Sequence, residues 1–184
     1  SHSEYRPPLR TLAGENVLYL NSFSKKVLPK LRVGYLAAPE SLVKRLVEAK
    51  RATMIATPAP PEMALAIFLQ RGYYEKHLKK MQTELDRRYS ACLKTLEKHL
   101  APNCRWTLPG GGPLIWLEIP RNVELQELHT RMTQRGFDID VRAQRFSGKA
   151  QLHGLPIGFA DPKPKILEDG IAALASEIKV LSES

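Results

Sequence analysis

Cysteine is nearly absent. Cys92 and Cys104 are the only two in 184 residues, too few for a disulfide scaffold or a zinc site. No apolar run approaches the roughly 18 residues that a membrane-spanning helix needs, and nothing at Ser1 resembles a signal peptide. A cytoplasmic protein with no membrane partner is the expectation. Internal repeats and low-complexity tracts are lacking as well. What remains is 43% hydrophobic and 26% charged, enough for a sizeable core and unlike a disordered chain.

Acidic residues are scarce on one side only. Residues 1–58 carry 10 basic side chains against 4 acidic, residues 71–99 carry 8 against 4, and residues 100–184 carry 10 of each, so the net +9 lies in the first 99 residues. Such a surface can recruit nucleic acid or phosphorylated ligands. The plainer reading is a solvated basic helix face.

Residues 1–16 read as a loop. The short apolar run Val17-Leu18-Tyr19-Leu20 suits a buried strand of a parallel sheet, and Val33 to Ala37 a second strand stopped by Pro39. Glu40 to Thr53 has the spacing of an amphipathic helix. Thr57-Pro58-Ala59-Pro60-Pro61 is the best segment boundary. A helix is expected from Glu62 to Arg71, with Gly72 as its stop. From Tyr73 to Leu100, apolar residues at 78, 81, 85, 89, 92, 96 and 100 form one stripe on a helix more than about 35 Å long. Beyond Pro109-Gly110-Gly111-Gly112-Pro113, strands at 114–119, 137–141 and 155–159 alternate with helices at 124–135 and 165–181. This half reads as a compact α/β or α+β unit, self-sufficient from about residue 90. The glycines are not a phosphate loop, because no Lys-Ser or Lys-Thr follows them.

Chemistry concentrates at Asn21-Ser22-Phe23-Ser24-Lys25, with Arg32 behind it. A strand hands its carboxyl end to a turn carrying two hydroxyls and a lysine, where α/β sheets place ligands. Hydroxyls and a guanidinium suit a phosphate, and a lysine beside them can form a Schiff base with a carbonyl cofactor. The competing reading is a lysine in a serine-rich surface loop.

The stretch from Asn21 to Lys25, continued by Leu28-Pro29-Lys30-Leu31-Arg32-Val33-Gly34-Tyr35, resembles the signature of fold-type-I, pyridoxal-phosphate-dependent aminotransferases. The resemblance implies an α/β fold: a remnant of the large cofactor-binding domain (1–58), connecting helices (59–100) and a complete α+β small domain (101–184). It implies that Lys25 is the catalytic residue, forming the internal aldimine and shuttling the α-proton, and that Ser22, Ser24 and Arg32 hold the cofactor phosphate. No chemical role follows for Tyr35. Lys26 and Lys30 depart from the pattern without removing a cofactor contact.

Gly72-Tyr73-Tyr74-Glu75-Lys76-His77-Leu78-Lys79-Lys80-Met81, with Arg87, Arg88 and Tyr89, is similar to the long inter-domain helix of this superfamily. It looks most like the MocR branch, GntR-type transcription factors with an aminotransferase-like effector domain. Gly111-Gly112-Pro113 before the strand bearing Trp116 also resembles that branch. In aminotransferases the strand matching Leu155 to Ala160 carries an arginine that clamps the substrate carboxylate. Here Pro156 stands in its place, with neither guanidinium nor N–H. Arg142, Arg145 and His153 are the candidate substitutes.

A segment bearing the aspartate that pairs with the pyridine nitrogen usually precedes a sequence like Ser3-Glu4-Tyr5, so the chain reads as a C-terminal fragment, inactive alone and expected not to retain the pyridoxal phosphate that the intact protein holds. The expected whole is a homodimeric regulator that binds DNA through an upstream winged helix and senses a small amine or amino acid. A genuine amino-acid aminotransferase is the alternative, and a module serving only dimerisation a third.

Overall fold

In the computed structural model, residues 7–54, 59–141 and 152–183 are described. In chain order they form α1 (Leu9–Ala13), β1 (Tyr19–Ser22), β2 (Gly34–Ala37), α2 (Glu40–Thr53), α3 (Ala59–Gln70), α4 (Tyr73–Leu100), β3 (Arg105–Trp106), β4 (Leu114–Glu118), α5 (Leu125–Gln134), β5 (Gly154–Gly158) and α6 (Pro164–Ser182). Two compact units divide the chain within α4, between Gln82 and Thr83.

In the first unit, β1 and β2 pair antiparallel, with Tyr19 opposite Ala37 and Ser22 opposite Gly34. The expected buried, parallel strand is therefore corrected. Only 11 residues join β1 to β2, and a parallel pair needs a crossover of about a dozen or more. Leu18 and Leu20 are exposed, so a continuous apolar run did not mean burial on both faces. The loop expected before residue 16 contains helix α1, which Arg10 supports by donating from Nη1 to the carbonyls of Gly14 (2.8 Å) and Val17 (2.7 Å). Gly72, at φ 66°, makes the break between α3 and α4.

The first unit has little core of its own. Leu65 and Pro39 are the apolar side chains buried among its described residues, while Leu9, Leu12, Leu20, Met63 and Ile67 are among many left exposed. Burying one leucine yields about 1.5–3 kcal/mol, against about 1–2 kcal/mol of backbone entropy for each residue ordered.

The second unit is built the opposite way. Strands β3, β4 and β5 form an antiparallel sheet in that order, with Ile115 opposite Ile157 and Leu117 opposite Leu155. Those four side chains join Cys92, Leu96 and Leu100 of α4, Leu128 and Met132 of α5, and Ile171, Leu174 and Ile178 of α6 in one buried cluster. A Cβ at Gly154 would run into the Leu117 carbonyl, so glycine is what lets β5 begin beside β4. Strand β3 was not anticipated, since two residues are too few to show an alternation. The strand expected at 137–141 joins no ladder among the described residues. Instead Phe137 packs against α6, where a Cβ at Gly170 would come within 3.2 Å of its ring.

Arginines fasten the helices of this unit. Arg88 Nη1 donates to the carbonyls of Ala160 (2.7 Å) and Pro162 (2.9 Å), just beyond β5. Its Nε donates to Glu84. Hydrogen bonds from Arg87 and then Arg88 hold the Glu84 carboxyl down at about 2. The buried Glu177 of α6 accepts at 2.7 Å from Arg135, the residue that follows α5. Arg88→Ala should cost about 2–3 kcal/mol, because it strips charge-assisted donors from two carbonyls. Urea unfolding followed by Trp106 and Trp116, the chain's two tryptophans and both in this unit, would measure it; a loss under about 0.5 kcal/mol would show that water replaces the guanidinium at no cost.

Candidate functional site

The hairpin between β1 and β2 carries every residue of the lysine motif. Its ladder continues one step past Ser22 and Gly34, because the Phe23 N–H donates to the Val33 carbonyl at 3.0 Å. One residue further on the two arms stand Ser24 and Arg32. The Phe23 carbonyl accepts from the N–H groups of Lys26 (3.2 Å) and Val27 (2.7 Å). That closes a helical turn with Lys25 exposed at its crest. On the returning arm, Pro29 opens a 3-10 turn over Pro29–Leu31 and Arg32 follows in the left-handed region at φ 52°. The structure thus brings the backbones of Ser22, Ser24, Lys25 and Arg32 to one end of a single hairpin.

The faces of that hairpin differ. Tyr19, Asn21, Phe23 and Tyr35 share one: Asn21 Nδ2 donates to Tyr19 Oη (2.9 Å) and Tyr35 Oη (3.3 Å), and Tyr35 packs against the rings of Tyr19 and Phe23. Ser22 alternates to the other face. Across from it Gly34 adds no side chain, and a Cβ there would lie 2.8 Å from the Asn21 carbonyl and 3.4 Å from Ser22 Cβ.

This donor set fits the phosphate and aldehyde ends of pyridoxal phosphate. Between Asn16 and Pro39 the chain carries Lys25, Lys26, Lys30 and Arg32 and no acidic residue, so an anion there meets only cations. Among the described residues neither Lys25 nor Arg32 is paired with a carboxylate. A guanidinium can bind two phosphate oxygens at once, and an amine and two hydroxyls stand within a few residues of it. No carboxylate in this segment can pair with a pyridine nitrogen; Ser3, Glu4 and Tyr5 lie outside the described residues.

Sequence reasoning missed what the turn rests on. His77, one turn into α4, makes a 2.8 Å hydrogen bond from Nε2 to the Lys26 carbonyl. Tyr74, on the same face of α4, meets the Phe23 ring edge-on with centroids 5.8 Å apart. Their spacing of three on a helix was the available signal, but nothing local says what that face meets.

Pro156 lies in β5, opposite Trp116 of β4. Strand β5 is the edge of the described sheet, where a missing N–H breaks no ladder bond. Pro156 lines a cleft of about 510 Å³ walled by Phe137, Ile139, Ile166, Gly170 and Ile171. Among the described residues no guanidinium lines it. Of the candidate substitutes, Arg142 and Arg145 lie outside the described residues. His153 Nε2 donates to the Val123 carbonyl at 2.8 Å and lines a separate, polar cleft of about 430 Å³ with Arg105, Arg121 and Glu118.

Comparison with known proteins places this geometry in context. The family described as aminotransferase class I and II matches residues 5–146. A curated relative, the uncharacterized HTH-type transcriptional regulator YisV of Bacillus subtilis strain 168, is 35% identical over 129 residues, covering 70% of this chain and 27% of the relative. The aromatic-amino-acid aminotransferase 1 of Thermococcus litoralis is 26% identical over 163 residues, covering 89% of this chain and 39% of the relative. Among solved structures, LysN, the α-aminoadipate aminotransferase of Thermus thermophilus complexed with N-(5'-phosphopyridoxyl)-L-leucine, superposes with a TM-score of 0.86 at 26% identity, covering 99% of this chain and 48% of that one. The chain therefore spans 27% to 39% of the length of these two curated relatives.

Proposed function

Since the chain belongs to the class I and II aminotransferase family, with the fold-type-I architecture, we propose that it forms the C-terminal part of a pyridoxal-phosphate-binding effector domain in a GntR/MocR-type transcriptional regulator. The observation that carries this reading is Pro156, set in an edge strand where the resemblance puts the carboxylate-clamping arginine. A site that keeps the cofactor residues but loses that clamp is suited to sensing an amine more than to turning over α-amino acids. The likeness to YisV supports the same choice.

When bound, pyridoxal phosphate supplies an aldehyde that captures amines covalently and a ring that draws electrons from them. The chain's own residues have narrower tasks. Arg32 would hold the phosphate through its guanidinium, and the hydroxyls of Ser22 and Ser24 would donate to the same group. Lys25 Nζ is the nucleophilic amine and the atom that takes and returns a ligand proton. The hairpin holds these groups on a short, hydrogen-bonded turn, so binding loses little backbone freedom. Residues 1–58 form the remnant of the large domain, 59–100 the connecting helices and 101–184 the small domain. The whole protein acts in the cytoplasm as a homodimer that binds DNA through an upstream winged helix and answers to a small amine or amino acid.

The test is DNA binding by the protein together with its upstream region. The affinity should fall steeply between about 50 and 200 mM salt, as phosphate contacts require, and change when pyridoxal phosphate and an amine are added. Amino-group transfer with no salt-sensitive DNA binding would favour the aminotransferase reading, which the intact Lys25, Ser22 and Arg32 set also fits.

A further inference from the structure

The Lys25 turn is held from below by helix α4, and the hold is specific. The Lys26 carbonyl, the peptide group directly after the turn's crest, accepts from His77 Nε2 at 2.8 Å. A carbonyl has no proton to give, so Nε2 carries the hydrogen in this arrangement. The imidazole is itself set by Phe68 of α3, whose ring meets it edge-on with centroids 6.2 Å apart. Three residues earlier Tyr74 packs on Phe23, the residue whose carbonyl closes the turn. Both ends of the segment from Phe23 to Lys26 therefore rest on one face of α4, and Lys25 projects from the unsupported middle.

We propose that His77 is a positioning residue: its Nε2–H fixes the Lys26 carbonyl and so the direction in which Lys25 leaves the turn. The proposal rests on the reading of Lys25 as the anchoring amine. It extends that reading to a residue 51 positions beyond Lys26. Without the imidazole the Lys26 carbonyl loses its brace, so the turn that the Phe23 carbonyl closes opens more often and its far end is free to rotate. Lys25 then samples directions in which its amine misses a bound aldehyde.

The experiment compares the full-length protein, upstream region included, with its His77→Ala and His77→Gln variants; the glutamine amide can still donate to the carbonyl. Hydrogen exchange is read at the Lys26 and Val27 amides, and in parallel the rate at which pyridoxal phosphate plus borohydride labels Lys25, with Lys25→Ala as control. His77→Ala should speed exchange at those two amides about five- to tenfold and slow labelling similarly, leaving the amides of β1 and β2 unchanged. His77→Gln should stay within about twofold of wild type on both. The proposal is overturned if His77→Ala leaves both readouts at wild-type values. It is equally overturned if His77→Gln behaves like His77→Ala, or if every amide from 19 to 37 accelerates together, which would mark a general loss of folding. If exchange shifts as expected while wild-type Lys25 takes no label, the brace stands and the reading of Lys25 falls.

Discussion

Arg32→Asn is expected to raise the pyridoxal phosphate concentration needed to half-saturate labelling at Lys25 by roughly 100-fold. The magnitude follows from a guanidinium–phosphate pair made of two charge-assisted hydrogen bonds, about 3 kcal/mol in all, at about 1.4 kcal/mol for each factor of ten. Asparagine is the informative replacement because Arg32 sits at φ 52°, a region that asparagine tolerates well among residues with a side chain. The backbone stays in place while the charge goes. Arg32→Lys should recover only part of the loss, since an ammonium cannot make the forked contact. Pyridoxal without its phosphate should label both proteins alike. A variant that loses affinity for pyridoxal as much as for the phosphate ester would show that Arg32 shapes the hairpin and does not bind the anion.

Alkaline pH is expected to unfold the second unit through its two thiols. Burial in the core pushes both Cys92 and Cys104 up to about 11, from an ordinary value of 9.0. A thiol with a raised folded value keeps its proton longer in the native state than in the unfolded chain. Its contribution is complete below about pH 9 and is lost as pH rises through about 11. Two pH units correspond to about 2–3 kcal/mol per thiol. Urea unfolding of Trp106 and Trp116 fluorescence at pH 8, 9, 10 and 11 should show the decline. In Cys92→Ala/Cys104→Ala the unit is weaker throughout, because cavities replace the sulfurs, but the loss between pH 9 and 11 should be correspondingly smaller. Equal pH dependence in both proteins would place the effect on other groups. Alkylation at pH 8 should run at least about 100-fold slower than in urea, because the thiolate is scarce.

How much of this was legible varies with length and periodicity. Helix α4 matches its expected bounds, Tyr73 to Leu100, because seven apolar positions on one stripe leave little freedom of register. Helix α2 is equally plain between Pro39 and Met54. Four apolar residues in a row, by contrast, said nothing about direction. Strand β1 is antiparallel and half open, since loop length decides pairing and apolar content does not. Residues 137–141 looked like a strand by composition, yet there the chain spends its apolar groups on packing, with Phe137 against Gly170. The lysine motif could be read as local sequence because its residues fall within one hairpin. His77 could not, since its partner lies 51 residues away and tertiary placement alone joins them.

The central claim is that Lys25 is where this chain takes pyridoxal phosphate. Lys25 is one of 14 lysines, so indiscriminate chemistry would scatter label across the surface. The decisive measurement is a peptide map of the full-length protein and of its Lys25→Ala variant after incubation with pyridoxal phosphate and reduction by borohydride. One dominant labelled peptide is expected, the one containing Lys25, and it should disappear in the variant with no other lysine taking its place. Label on Lys26 or Lys30 at the same level, or a wild-type map that Lys25→Ala leaves unchanged, would contradict it.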